Sequence, residues 1–193
     1  VAHGKVAMSG QICVAPDYAL VPRESIATFS DAVVHEFNQF YPHGTVDSEE
    51  VCAVINDKQL DRVKALLADA EAKGAKVTSA TNWDGGRKVP LQIVTNVTDD
   101  MRIMQEEVFG PILPIVGYDN LDACIQDIQR RPKPLALYAF TKKPAVANDI
   151  LSRTQSGGAT INDWGWHVVN AAVPFGGVGA SGFGSYHGVE GFR

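Results

Sequence analysis

A chain of 193 residues that is 45% hydrophobic and only 20% charged can build a core and carries too little charge to stay unfolded. The formal net charge is -5, and the basic residues form no run longer than a pair such as Arg130-Arg131 or Lys142-Lys143, which argues against nucleic acid as a partner. Apolar runs fall far short of the roughly 18 residues a membrane span needs, and no signal peptide opens the chain. Cys13, Cys52 and Cys124 are spaced for neither a disulfide framework nor a zinc site, so no metal is expected and a reducing cytoplasm is the expected location. The chain starts at Val1 without an initiator Met and stops at Arg193 after a glycine-rich stretch, so it reads as a piece of something longer.

In chain order, strands are expected at Cys13–Val21, Cys52–Ile55, Gln92–Val97, Ile112–Tyr118, Leu135–Thr141 and Ala159–Asn162. Helices fit between them. Ile26, Phe29, Val33, Phe37 and Phe40 make one apolar stripe over Glu24–Phe40, which Tyr41-Pro42-His43-Gly44 then stops. Asp57 is placed to cap a helix with Leu60, Val63, Leu66, Leu67 and Ala70 on one face and Gly74 at its exit. Leu121–Gln129 and Pro144–Arg153 are shorter helices, and Asn82 to Gly86 is a tight turn between strands. The alternation predicts an α/β fold, a mainly parallel sheet flanked by helices, as a single domain over residues 1–193.

Three familiar motifs are set aside. His35-Glu36-Phe37-Asn38-Gln39 begins like a zinc-protease helix, but Gln39 stands where the second ligand is needed. Gly177-Val178-Gly179-Ala180-Ser181-Gly182 has the dinucleotide glycine spacing without a following helix or an acidic ribose partner. Asn96-Val97-Thr98 accepts a glycan only in a secreted protein.

Cys13 stands apart, because Ser9-Gly10-Gln11-Ile12-Cys13-Val14-Ala15-Pro16 places it at a glycine-containing turn leading into a strand. There a thiol can be exposed, and backbone N–H groups can stabilise both a thiolate and an oxyanion on an attacked carbonyl. Cys52 and Cys124, with apolar neighbours, read as buried structural cysteines.

The segment Gly10-Gln11-Ile12-Cys13-Val14-Ala15-Pro16-Asp17-Tyr18 resembles the catalytic cysteine segment of the aldehyde dehydrogenase superfamily, in its class 3 and coniferyl aldehyde dehydrogenase branch. Met104 to Pro111, containing Glu106-Glu107-Val108-Phe109-Gly110, is similar to that family's second signature, and Pro174 to Gly182 to its third. The three stand in family order and span essentially the whole chain.

The resemblance implies NAD(P)-dependent oxidation of an aldehyde to a carboxylic acid, with NAD favoured over NADP as cofactor. It makes Cys13 the nucleophile, passing through a thiohemiacetal and a thioester, with its own N–H as one oxyanion donor. It makes Glu107 the residue that hydrogen-bonds the nicotinamide ribose and Phe109 the aromatic beside the nicotinamide ring, and leaves Glu106 as a surface charge. It further implies a homodimer or homotetramer. Met8 departs from the pattern, since the family usually carries Asn five residues before the cysteine. The general-base Glu, a second oxyanion donor and the dinucleotide-binding domain are expected before Val1 and a terminal oligomerisation strand after Arg193, so the isolated chain is expected to be inactive.

Trp164, Trp166, His167 and Phe175 suggest an apolar entrance for a hydrophobic or aromatic, coniferyl-aldehyde-like substrate. The segment Phe175–Gly188 holds six glycines, too many for a helix or central strand, and is expected to run irregularly past the Cys13 turn. Two other readings stay open: a cysteine hydrolase using His35, His167 or His187 as base, and a non-catalytic binding or assembly module.

Overall fold

The computed structural model describes residues 1–192 and divides into two compact units, Val1–Tyr118 and Asp119 onward. The first unit contains helices α1 (Ala2–Val6), α2 (Ile26–Phe40) and α3 (Asp57–Ala72), and strands β1 (Ala19–Pro22), β2 (Lys76–Ser79), β3 (Gln92–Thr95) and β4 (Ile112–Tyr118). The strand order is β1-β4-β3-β2, parallel except for β2, which runs antiparallel on the edge beside β3. Successive strand residues point to opposite faces, and each face has its own helices. Val94 and Ile112 join Leu60, Val63, Leu66, Leu67 and Ala70 of α3 in one cluster. Ile93, Leu113 and Ile115 join α1 and α2 through Ala2, Val6, Val33 and Phe37 in the other. The first unit is therefore helix, sheet and helix in three layers.

The second unit contains α4 (Leu121–Arg130), β5 (Ala136–Ala139), α5 (Pro144–Arg153), β6 (Gly158–Ile161), α6 (Trp166–Val169) and α7 (Gly188–Phe192). β5 and β6 pair in parallel, and α5 connects them. With its mainly parallel strands and flanking helices, the chain has the α/β fold read from its sequence.

Four local expectations change. The first strand starts only at Ala19, because Ala15 N–H closes a turn onto Ile12 C=O at 2.9 Å and leaves Cys13 inside that turn. Cys52–Ile55 forms no strand, and Cys52 is exposed instead of buried, since only Val54 of this segment turns into the core. Asn56, one residue before the expected Asp57, caps α3 by accepting the Gln59 N–H at 2.9 Å. Edge strand β2 has one half-buried position, Val77, and so gave no alternating apolar signal.

Candidate active site

The first unit brings together three segments that lie far apart in sequence: 5–17, 52–62 and 106–111. The chain leaves α1 through Met8, Ser9 and Gly10, whose φ angles are 48°, 60° and 70°. Three successive left-handed residues reverse the backbone just ahead of Cys13. A Cβ on Gly10 would lie 2.3 Å from the Gly110 carbonyl oxygen, so only glycine lets the cysteine segment press against the Phe109-Gly110 backbone. Gln11 fixes the other flank. Its Nε2 donates to Met8 C=O at 2.9 Å and to Ala53 C=O at 3.2 Å, and its Oε1 accepts the Ile55 N–H at 2.9 Å. Cys13 itself is exposed, at the second position of the turn closed by Ala15.

Glu107 and Phe109 project from a loop whose backbone is held on both its donor and acceptor groups. Val108 N–H donates to Asp17 Oδ1 at 3.0 Å. The Arg62 guanidinium donates to Glu107 C=O at 3.3 Å, to Phe109 C=O at 3.2 Å and, through a short bond, to Val108 C=O. Phe109 adopts φ 41° and is 41% exposed, while Val108 is fully buried. Glu106, a partly exposed charge, pairs with Arg102 at 2.7 Å and with Arg62 at 3.7 Å.

Behind this loop sits Lys5, almost fully buried, with Nζ donating to Asp17 C=O at 3.3 Å. Burial lowers its pKa to about 8, opposed by the negative charges of Asp17 and Glu107. Burial likewise raises the Asp17 carboxyl against the pull of Lys5, the Val108 N–H and Arg62. Glu107 is raised too, first by partial burial and then by repulsion from Asp17. The result is an exposed thiol and an exposed carboxylate and aromatic ring carried on two loops in backbone contact, backed by buried Lys5 and half-buried Asp17.

Sequence reasoning singled out Cys13, Glu107 and Phe109 as candidates and passed over Lys5, Gln11, Asp17 and Arg62, whose hydrogen bonds tie these segments together. Gln11 and Asp17 lie inside the recognised cysteine segment. Arg62 stands on α3, 45 residues from the loop it holds, and no local spacing connects the two.

In the second unit, His167 is buried, with its ring within hydrogen-bonding distance, 3.1 Å, of Thr160 Oγ1, and burial holds its pKa below the usual histidine range. Its ring meets those of Tyr138 and Phe175 in tilted contacts, with centroids 5.9 and 6.0 Å away. Phe175 in turn meets Tyr186 edge-on at 5.7 Å, and the two exchange backbone hydrogen bonds at 2.8 and 2.9 Å. Trp164 is half-buried and Trp166 is 59% exposed. Between the Phe175–Tyr186 bridge residues the glycine-rich segment forms a short helical turn at Gly179–Ser181, and Cβ atoms on Gly176 or Gly177 would collide with the carbonyls of Gly184 or Ser181. On α2, His35 and Glu36 face solvent, as a plain helix surface does.

Comparison with known proteins agrees over the full length. The aldehyde dehydrogenase family model matches residues 1–193. Coniferyl aldehyde dehydrogenase of a Pseudomonas species is 39% identical, covering 96% of this chain and 40% of its own. A substrate-bound AldH structure from Staphylococcus aureus superposes with TM-score 0.91 at 38% identity, covering 99% of this chain and 41% of that one. An NAD+ complex of aldehyde dehydrogenase from Bacillus cereus gives TM-score 0.84 at 28% identity, covering 98% of this chain and 39% of that one. The chain spans about two fifths of the length of the curated relatives it matches. Three signature segments in order, the packing of two of them against each other, and a family match from the first residue to the last place this chain in the aldehyde dehydrogenase family.

Proposed function

We propose that this chain is the catalytic portion of an NAD(P)-dependent aldehyde dehydrogenase acting on a hydrophobic or aromatic aldehyde. The observation that supports the reading most is the contact of Gly10, in the loop that carries Cys13, with the Gly110 carbonyl, at the end of the loop that carries Glu107 and Phe109; all three side chains lie in exposed residues. Cys13 Sγ adds to the aldehyde carbon to give a thiohemiacetal, and later holds the acyl group as a thioester that water releases as the carboxylic acid. The Cys13 N–H is one donor to the oxyanion. A nicotinamide dinucleotide, when bound, supplies the hydride acceptor. The residues fit such a group, since Glu107 offers acceptors for ribose hydroxyls and Phe109 an open apolar face. NAD is favoured over NADP, and a bound NAD+ in the Bacillus cereus relative supports that choice.

The aromatic group of His167, Phe175 and Tyr186, and half-buried Trp164 in the same unit, support an apolar substrate, as does the likeness to a coniferyl aldehyde dehydrogenase. In the product of the full reading frame, Phe175→Ala should raise KM for an aromatic aldehyde by about tenfold and leave a short aliphatic aldehyde nearly unchanged. Equal effects on both would end the proposed role of Phe175. The isolated 193-residue chain should fold yet oxidise aldehydes negligibly, because by family resemblance the water-activating Glu and the dinucleotide-binding domain are not among its residues. Robust NADH production by the purified chain would contradict this.

A further inference from the structure

We infer that Arg62 is the positioning residue that shapes the Glu107–Phe109 loop for the dinucleotide, with Asp17 as its counterpart on the same backbone. The inference rests on the reading that Glu107 and Phe109 contact the nicotinamide nucleoside. One guanidinium takes the carbonyls of three consecutive residues, Glu107, Val108 and Phe109. Three consecutive carbonyls converge on one group only where the backbone curls, and the curl here is Phe109 at φ 41°, a conformation that a bulky side chain does not adopt without outside support. Asp17 fixes the same turn by accepting the intervening Val108 N–H at 3.0 Å. Backbone carbonyls and N–H groups on both sides of the curl are thereby satisfied by charged side chains, the stronger kind of hydrogen bond.

Arg62 is itself held. Gln59 Oε1, one turn earlier on α3, accepts from its Nε at 2.9 Å, and Glu106 Oε2 lies 3.7 Å from Nη1. Glu106 is anchored in turn by Arg102. Lysine, a point charge without the planar fork, cannot serve the three carbonyls and Gln59 together. Among the described residues, the backbone groups that Arg62 bonds are those of this loop, so its effect passes through the aim of Glu107 and Phe109.

The test uses the product of the full reading frame. Arg62→Met and Arg62→Lys are compared with Glu107→Gln and Phe109→Ala for dinucleotide affinity, KM for aldehyde, and amide hydrogen exchange at Val108. Loss of charged hydrogen bonds should speed Val108 exchange and weaken NAD binding by about 10- to 100-fold in both Arg62 variants, with KM for aldehyde within about twofold. Exchange at Ile93 and Leu113 in the sheet should stay unchanged. Val108 exchange that does not move, or that rises together with the sheet amides, overturns the inference, as does faster exchange with unaltered NAD affinity. If Glu107→Gln and Phe109→Ala leave NAD affinity intact, the cofactor reading itself fails, and the inference with it. Weakened binding in those two variants but not in the Arg62 variants removes only the inference.

Discussion

Met8 carries a cost that its side chain does nothing to offset. It lies at φ 48°, ψ 33°, in left-handed space that a non-glycine side chain resists by roughly 1–2 kcal/mol, and it is 61% exposed. Asn, the residue the family usually has here, tolerates that conformation better, so the unusual residue at this position is a local strain ahead of Cys13. Met8→Asn should stabilise the protein by about 0.5–1 kcal/mol in urea titration without loss of packing. No gain would mean that the loop relaxes around Met8. Lys5 presents the opposite case, a residue buried at a cost in charge. With its pKa lowered from 10.5 to about 8, the folded state gives up a proton between those values while the unfolded state keeps it. The unfolded chain then binds more protons, so this group makes stability rise with pH from about 8 to 10.5, by on the order of 3 kcal/mol. Below pH 8 the full burial cost is present. Lys5→Met should lose that upward slope relative to wild type, and parallel stability curves across this range would contradict the assignment.

At the scale of elements, hydrophobic periodicity made the longer helices α2 to α5 readable, while α1, α6 and α7, of four or five residues, are too short to show a period. The stripe Ile26, Phe29, Val33, Phe37 located α2, and Pro144–Arg153 was found at its observed bounds. β4 was likewise found over Ile112–Tyr118, because a run buried on both faces by two helix layers is continuously apolar. β2 escaped since an exposed edge strand needs no alternation, and Cys52 was misplaced because flanking apolar residues do not fix which way a non-strand segment turns. Within the site, residues in contiguous signatures were legible. Lys5 and Arg62 were not, since their roles come from helix packing that joins distant segments, and a lone Lys or Arg carries no local pattern. The junction of the two loops offers its own test. Gly10→Ala places a methyl 2.3 Å from the Gly110 carbonyl at a φ of 70°, so it should cost about 2 kcal/mol or more and displace both loops together. A fully stable Gly10→Ala protein with unchanged Val108 exchange would show that the loops are not locked.

For the whole molecule, the first unit holds the proposed nucleophile and nicotinamide-facing residues, and the second holds the aromatic and glycine-rich segments. Family membership extends over every residue, while the chain corresponds to about two fifths of its relatives' length. Catalysis is therefore expected of the full reading frame's product. The central claim is that Cys13 forms the bond to substrate, and Cys52 is the informative control because it too is exposed, whereas Cys124 is buried with its thiol pKa raised by burial and by Asp127. The direct measurement is mass mapping of that product, quenched during turnover of an aromatic aldehyde with NAD. The account predicts an acyl adduct on the peptide carrying Cys13, lost together with turnover in Cys13→Ala. An adduct on Cys52 instead, or turnover that survives Cys13→Ala, would contradict it.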